Sequence, residues 1–208
     1  MFNRRQKVFC IGTGKTGTTT LGVTLTKLGY TLGNQEQAEL LIDAWHDREF
    51  IPIISYCKSA NAFQDIPFSL PHTYEALDNH FPKAKFILTE RDSAEQWYRS
   101  LTRFHAKLWS NTNEVPTKEE LQAASYRHPG YAYKAHKYIY NTSDDDLYNE
   151  EKLKSFYLQH NSKIKEYFTG REDKLLIINV SKKGDFAKLC DFLGVKTSLT
   201  EFPWENKT

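Results

Sequence analysis

"FCIGTGKTGTTTLG", residues Phe9 to Gly22, joins a short apolar run to a glycine-rich loop and then to an amphipathic segment. Lys7 to Ile11 is rich in strand formers and is ended by glycine, the pattern of a buried parallel strand. Beyond the loop, Leu21, Leu25 and Leu28 fall at i, i+4 and i+7 and Gly29 supplies a stop, which predicts a helix. Strand, glycine loop and helix therefore make the opening unit. Gly12 and Gly17 stand at the separation of the phosphate-loop pattern G-x-x-x-x-G-K-[ST]. Thr18, however, occupies the lysine position, and the lysine comes early, at Lys15.

The alternation continues downstream. Glu36 to Trp45 carries Leu40, Leu41 and Ala44 at helical spacing, and Ala62 to Asp65 is a short candidate strand ending at Asp-Ile-Pro. Thr73 to Phe81 reads as a helix and Lys85 to Thr89 as a second buried strand. Ser93 to Leu108 places Trp97, Leu101, Phe104 and Leu108 on one helical stripe. Thr117-Lys-Glu-Glu120 is a capping box that opens a short helix. Tyr126 to Tyr140 is aromatic and basic without a clean period, so about 111–146 is read as an acceptor-side insertion, a helical lid, rather than sheet framework. Within it, Ser143-Asp-Asp-Asp146 reads as a solvated helix entry. A helix over about 149–168, a third strand at Leu175 to Asn179 and a helix at Asp185 to Leu193 close the chain, with Phe186, Leu189, Cys190 and Leu193 facing inward. The expected fold is a single α/β domain over 1–208. It has three layers: a central, mostly parallel sheet with P-loop NTPase-like topology, and helices on both faces.

With 208 residues, 39% of them hydrophobic, the chain suffices for one well-buried core. Its 28 basic and 26 acidic residues leave a formal charge of +2, so no global field favours nucleic acid or a membrane surface and any anion site must be local. Cys10, Cys57 and Cys190 are widely separated, which suits reduced, buried residues of a cytoplasmic protein. The start, Met1 to Lys7, leads into no signal-like hydrophobic run, and no segment approaches the roughly 18 apolar residues of a membrane span.

The loop composition points to an anion. Gly12, Gly14 and Gly17 let backbone N–H groups turn inward, and Thr18, Thr19 and Thr20 add hydroxyls at the positive end of the next helix. The plain alternative is a strand-to-helix turn that binds nothing, but Lys15 and three threonines weigh against it. A metal-dependent ATPase or GTPase wants a lysine after the second glycine and an acidic metal ligand after a second strand. Here Lys85 to Thr89 leads into Glu90 and Arg91, and an arginine there suits a second phosphate better than a metal.

Three motifs carry a family resemblance. Lys15-Thr-Gly-Thr-Thr19 resembles the K-x-G-T-T loop of sulfotransferases, which bind the 5′-phosphosulfate of 3′-phosphoadenosine 5′-phosphosulfate (PAPS). Arg91-Asp-Ser-Ala-Glu-Gln-Trp-Tyr-Arg-Ser100 resembles their second motif, an arginine after a strand and a serine on the following helix that hold the 3′-phosphate. Leu175 to Val180, Leu189 to Gly194 and Phe202-Pro-Trp-Glu-Asn206 are similar to the closing strand, helix and F-P-x-x-N tail of the bacterial-type branch. The likeness runs from about residue 7 to the C-terminus and is weakest over 111–146. Ser100 comes one position later than the family's serine, position 99 is arginine, and Ser93 replaces the usual proline, so either Ser100 or Arg99 fills the serine's place.

The resemblance implies a metal-independent sulfotransferase that uses PAPS as co-substrate. It assigns nucleotide binding to Gly14, Lys15, Thr16, Gly17, Thr18, Thr19, Thr20, Arg91 and Arg99 or Ser100, with Lys182 and Lys183 as a possible 3′-phosphate clamp or a solvated loop. Sulfuryl transfer needs in-line alignment and charge stabilisation, and Lys15 is the residue expected to neutralise the leaving phosphate and protonate it. The acceptor must lose a proton. Asp65, in an Asp-x-Pro that recurs in the resembling branch, is either that base or a turn carboxylate, and His46 and His105 are its competitors. The acceptor itself, a small molecule, carbohydrate or lipid bearing a hydroxyl or amine, has no motif. Two other readings stay open: a kinase or NTPase with a degenerate Walker loop, and a non-catalytic phosphoadenosine-binding module.

Overall fold

Four short strands pair in parallel throughout, in the order β2-β1-β3-β4, in the computed structural model, which describes residues 6–203. The Met1 to Arg5 start and the Trp204 to Asn206 end of the tail motif lie outside the described residues.

Strand β1 (Val8–Cys10) feeds the glycine loop and helix α1 (Thr18–Lys27). Helices α2 (Gln35–Glu39), α3 (Ile42–His46) and α4 (Phe50–Tyr56) come after it, and then the two-residue strand β2 (Ala62–Phe63). Helix α5 (Thr73–His80) leads to β3 (Lys85–Thr89). Four helices come next: α6 (Ala94–Trp109), α7 (Lys118–Ala123), α8 (Tyr131–Tyr140) and α9 (Glu150–Tyr167). Strand β4 (Leu175–Ile178) and helix α10 (Asp185–Leu193) complete the chain.

Side chains alternate across a strand, and β1 shows why this sheet is covered on both sides. Val8 and Cys10 join a buried cluster with Leu21 and Leu25 of α1, Leu28 just after it, and Phe186 and Leu189 of α10. Phe9, one residue out of phase, faces an aromatic layer, its ring centroid 5.4 Å from Phe63, 6.0 Å from Phe68, 5.8 Å from Phe81 and 5.6 Å from Phe86. Burying both faces is what a parallel sheet requires. The strand expected at Leu175 to Asn179 is β4, an edge strand, and its Ile177 is exposed.

The chain divides into two compact units, one made of residues up to Glu90 and from Asn161 onward, the other of Arg91–His160. The first holds the sheet. The second is helical, and the segment read as an insertion lies inside it: α7 is opened by the expected capping box, with Thr117 accepting from Glu120 N and Glu120 reaching back to Thr117 N. Tyr131–Tyr140 is a regular helix rather than an aperiodic stretch, burying Tyr131, Ala132, Ala135 and His136. Nor is Asp144 merely solvated, since it accepts from Lys118, Lys137 and Tyr133 at 2.6, 2.9 and 2.8 Å.

Two expected stripes shift phase. In α6 the inward row is Trp97, Leu101, His105 and Trp109, whereas Phe104 and Leu108 are exposed. The segment Glu36 to Trp45 breaks into α2 and α3, so that Ala38, Ile42 and Trp45 are buried and Leu40 is exposed. The three cysteines are free; Cys10 and Cys57 are buried, Cys190 is partly so, and burial pushes the Cys57 thiol up to about 12.

His136 gives the second unit a definite response to acid. Its Nε2 lies 2.7 Å from the Leu147 carbonyl oxygen, so that nitrogen carries the proton, while Nδ1 is buried without a hydrogen-bond partner. Burial lowers its pKa to about 4. An unfolded chain takes up this proton near 6.5, so stability is fully present above that pH and is lost as the pH falls toward 4. The loss attributable to His136 is about 3 kcal/mol. Denaturant unfolding of wild type and His136→Gln between pH 7.5 and 4.5 checks it: the difference between the two must shrink or reverse on acidification, and parallel curves would refute the assignment.

Candidate active site

A sheet with every strand parallel brings all strand carboxyl ends to one edge, and β1 sits where the chain crosses over in both directions, to β2 on one side and β3 on the other. Ligands in open parallel sheets bind at such a switch point. The glycine loop comes directly after β1.

Its three glycines do three different things. A Cβ on Gly12 would lie 2.3 Å from Thr89 Oγ1 and 2.5 Å from the Thr89 carbonyl oxygen, so Gly12 allows the loop to lie against the end of β3. Gly17 has φ 102° and its Cβ would meet Val180 at 2.4 Å, so both its backbone and its contact require glycine. At Gly14 a Cβ would make only an ordinary contact, with Asp65 Oδ1 at 3.7 Å. The loop thus lies against Asp65 just beyond β2, Thr89 at the end of β3 and Val180 just beyond β4. The sequence reading credited all three glycines with turning toward an anion; two of them are packing devices.

The left-handed residues here are Lys15, with φ 70°, and Asp65, with φ 57°. A non-glycine residue there is strained by on the order of 1–2 kcal/mol, and such strain concentrates at functional sites. Thr16 is fully buried, and its hydroxyl donates to the Thr13 carbonyl at 2.6 Å, which leaves its backbone rather than its side chain for a ligand. Thr18 is buried and its hydroxyl bonds to Asp65; Thr19 is exposed and Thr20 half-buried. The first-turn N–H groups of α1 have no intrahelical acceptors.

Asp65 is half-buried but densely surrounded. Burial and then the charge of Glu39 raise its pKa to about 6, against the Ile66 N–H (3.0 Å), the Lys15 ammonium and the Thr18 hydroxyl. Lys15 and Asp65 therefore act on each other, as the sequence reading required of a cation and a base. Glu39 is the residue that reading missed. It is buried, and Gln35 Nε2 ties its Oε1 (3.2 Å) to the Ile66 carbonyl (3.0 Å). The phase error in Glu36 to Trp45 hid it: Asn34 caps α2 through Gln37 N, and the Ala38–Ile42–Trp45 row puts Glu39 beside the buried face.

His46 is exposed at the end of α3, its ring 6.4 Å from Trp45, and the charges acting most strongly on Asp65 are Glu39 and Lys15. His105 belongs to the helical unit's aromatic packing, 2.9 Å from the Tyr148 hydroxyl. After β4, Asn179 accepts from Ser181 N and Oγ at 3.0 and 2.7 Å and donates to Asp185 at 2.8 Å, shaping the turn on which Lys182 and Lys183 are exposed.

Within the helical unit, Arg91 donates its backbone N–H to the Tyr157 hydroxyl at 2.9 Å, and the Tyr157 ring stacks on Trp97 at 4.9 Å. Burial pulls the Arg91 pKa down, opposed by Tyr157 and Asp92. Helix α6 starts beyond Ser93, which accepts from Gln96 N at 3.2 Å; on it Arg99 is exposed and Ser100 half-buried.

Residues 7–208 match the sequence pattern of a family described as a sulfotransferase domain. The chain belongs to that family. Comparison with curated proteins gives no match. Family membership supports a transferase whose chemistry is sulfuryl transfer. Among the described residues of this sulfotransferase, no helix is long and apolar enough to cross a membrane.

The raised pKa of Asp65 has a sign that can be tested apart from activity. A carboxyl whose folded pKa exceeds its unfolded value contributes stability below about 3.9 and loses it as the pH rises through 6. Asp65→Asn removes that penalty, so it is expected to raise Tm at pH 8 and to leave it nearly unchanged at pH 4. Equal Tm differences at both pH values would show that Asp65 is not held in its neutral form by its surroundings.

Proposed function

We propose that this protein moves a sulfuryl group from PAPS to a hydroxyl or amine acceptor by in-line transfer without a metal. The observation that carries the reading is the pairing of Lys15 with Asp65: a cation on the loop after β1 and a carboxyl after β2, each in left-handed backbone and each acting on the other.

The residues present fit an anionic donor. The first turn of α1 offers N–H groups that no intrahelical carbonyl can take, and the buried hydroxyl of Thr13 has no protein partner. On this reading Gly14, Lys15, Thr16, Gly17, Thr18, Thr19 and Thr20 hold the 5′-phosphosulfate. Arg91, with Ser100 or Arg99, takes the 3′-phosphate, and Lys182 and Lys183 add positive charge to it. Asp65 accepts the acceptor's proton as the new bond to sulfur forms. Lys15 donates to the bridging oxygen as its bond to sulfur breaks, so that the leaving phosphate carries less charge. A carboxyl with a pKa near 6 is ionised at neutral pH and still basic enough for this work. The acceptor is a small molecule, carbohydrate or lipid, and the site is expected to work in the cytoplasm as part of one functional domain.

Adenosine 3′,5′-bisphosphate should raise the protein's Tm, whereas Mg·ATP should not, because a ligand that binds only the native state stabilises it. Stabilisation by Mg·ATP alone would favour a kinase or NTPase, and stabilisation by the bisphosphate with no sulfate release from PAPS would favour a binding module. Lys15→Ala is expected to lower sulfate transfer on the order of 10²–10³-fold with little change in Tm; near-native turnover would remove Lys15 from the mechanism. The pH profile of kcat/KM should fall on the acid side near 6, and Asp65→Asn should abolish transfer.

A further inference from the structure

Thr89 closes β3 and is fully buried. Its hydroxyl lies 2.6 Å from that of Thr16, which lies 2.6 Å from the Thr13 carbonyl oxygen. Proton counting fixes the direction of this chain. A carbonyl only accepts, so Thr16 gives its single proton to Thr13 and offers Thr89 only lone pairs. Thr89 is therefore the donor. The chain runs from the end of a central strand, through Thr16, to Thr13, and it closes across Gly14 and Lys15. The close approach of Gly12 to Thr89 Oγ1 keeps the loop against the same side chain.

We propose that Thr89 is a positioning residue: its hydroxyl, through Thr16, clasps the turn that holds Lys15 in its left-handed conformation and so aims the ammonium. Nothing in the sequence marks Thr89 for this, since it reads as the last residue of a buried strand. Without the clasp the turn loses a restraint that helps keep a lysine at φ 70°, and it relaxes toward ordinary backbone, moving the charge. A displacement of about 1 Å at a reacting centre is enough for roughly a hundredfold loss of rate. The inference rests on the proposed role of Lys15.

Two measurements on the full chain test it. The first is sulfate release from PAPS with water as acceptor, which needs no knowledge of the natural acceptor. Thr89→Val, which keeps shape but removes the donor, should lower release at saturating PAPS by about ten- to a hundredfold while changing the affinity for adenosine 3′,5′-bisphosphate by less than about threefold. Thr89→Ser should restore the rate to within about threefold of wild type. Thr16→Ala breaks the same chain from the loop side, so the test survives if Thr89→Val folds poorly, and the double variant should be no worse than the poorer single one. The second measurement is amide exchange over residues 12–18, which should quicken in Thr89→Val and Thr16→Ala but not in Thr89→Ser. Wild-type release by Thr89→Val beside an inactive Lys15→Ala overturns the inference alone, as does unchanged loop exchange. Full release by Lys15→Ala overturns both it and the reading beneath it.

Discussion

Parallel pairing of β1 between β2 and β3 is the constraint on which the candidate site depends. Parallel strands need crossovers, crossovers place helices on both faces, and both faces must then be apolar. Val8 and Cys10 meet that demand toward α1 and α10, and Phe9 meets it toward the aromatic layer. Once the strands run the same way, their carboxyl ends have to share an edge. The glycine loop, Asp65, Thr89 and Val180 are neighbours for that reason, although they come from widely separated parts of the chain. Gly12 and Gly17 are small because each lies against another strand end, that of β3 and that just beyond β4.

Much of this was legible because parallel α/β chains write their strands as short apolar runs. Strand β3 at Lys85 to Thr89, the loop after Ile11 and the capping box at Thr117 all stand where their residue patterns imply. What failed was phase. Leu40, Phe104 and Leu108 fit an apolar stripe by spacing, but in α6 the half-buried face continues through His105 and Trp109, four and eight residues beyond Leu101, and Leu40 lies where α2 ends and its phase is lost. The row Trp97, Leu101, His105, Trp109 contains a histidine, and a pattern search for aliphatic residues passes over it. The same slip concealed Glu39, whose burial depends on α2 ending where it does. Thr89 was hidden differently: a threonine at the end of an apolar strand is what β-propensity alone would place there, and only the folded arrangement reveals that its hydroxyl is committed.

The candidate site holds opposed terms in balance. Burial and Glu39 push Asp65 toward its neutral form, while Lys15, Thr18 and the Ile66 N–H pull it back. The raising side wins, lifting the pKa to about 6, which leaves a group that changes charge within reach of neutral pH. A base needs that property, and a purely structural carboxylate gains nothing from it. The tension is stabilised elsewhere, by the apolar layers on both sheet faces, where Phe9, Ile11, Leu21 and Leu25 are fully buried.

The early lysine is explained by what stands in its usual place. Thr18 opens α1, is almost fully buried, and its hydroxyl helps to hold the Asp65 pKa down. A lysine there would have to bring a long charged chain into a space already closed, and it would take from the carboxyl its hydroxyl partner. With position 18 beside the Asp65 carboxyl, the cation comes from the turn before the helix. In that turn the lysine stands in left-handed backbone. The hydroxyl chain from Thr89 through Thr16 to Thr13 spans the strained residue. The displaced lysine, the buried threonine and the raised carboxyl are thus one arrangement, and altering any member alters the demand on the other two.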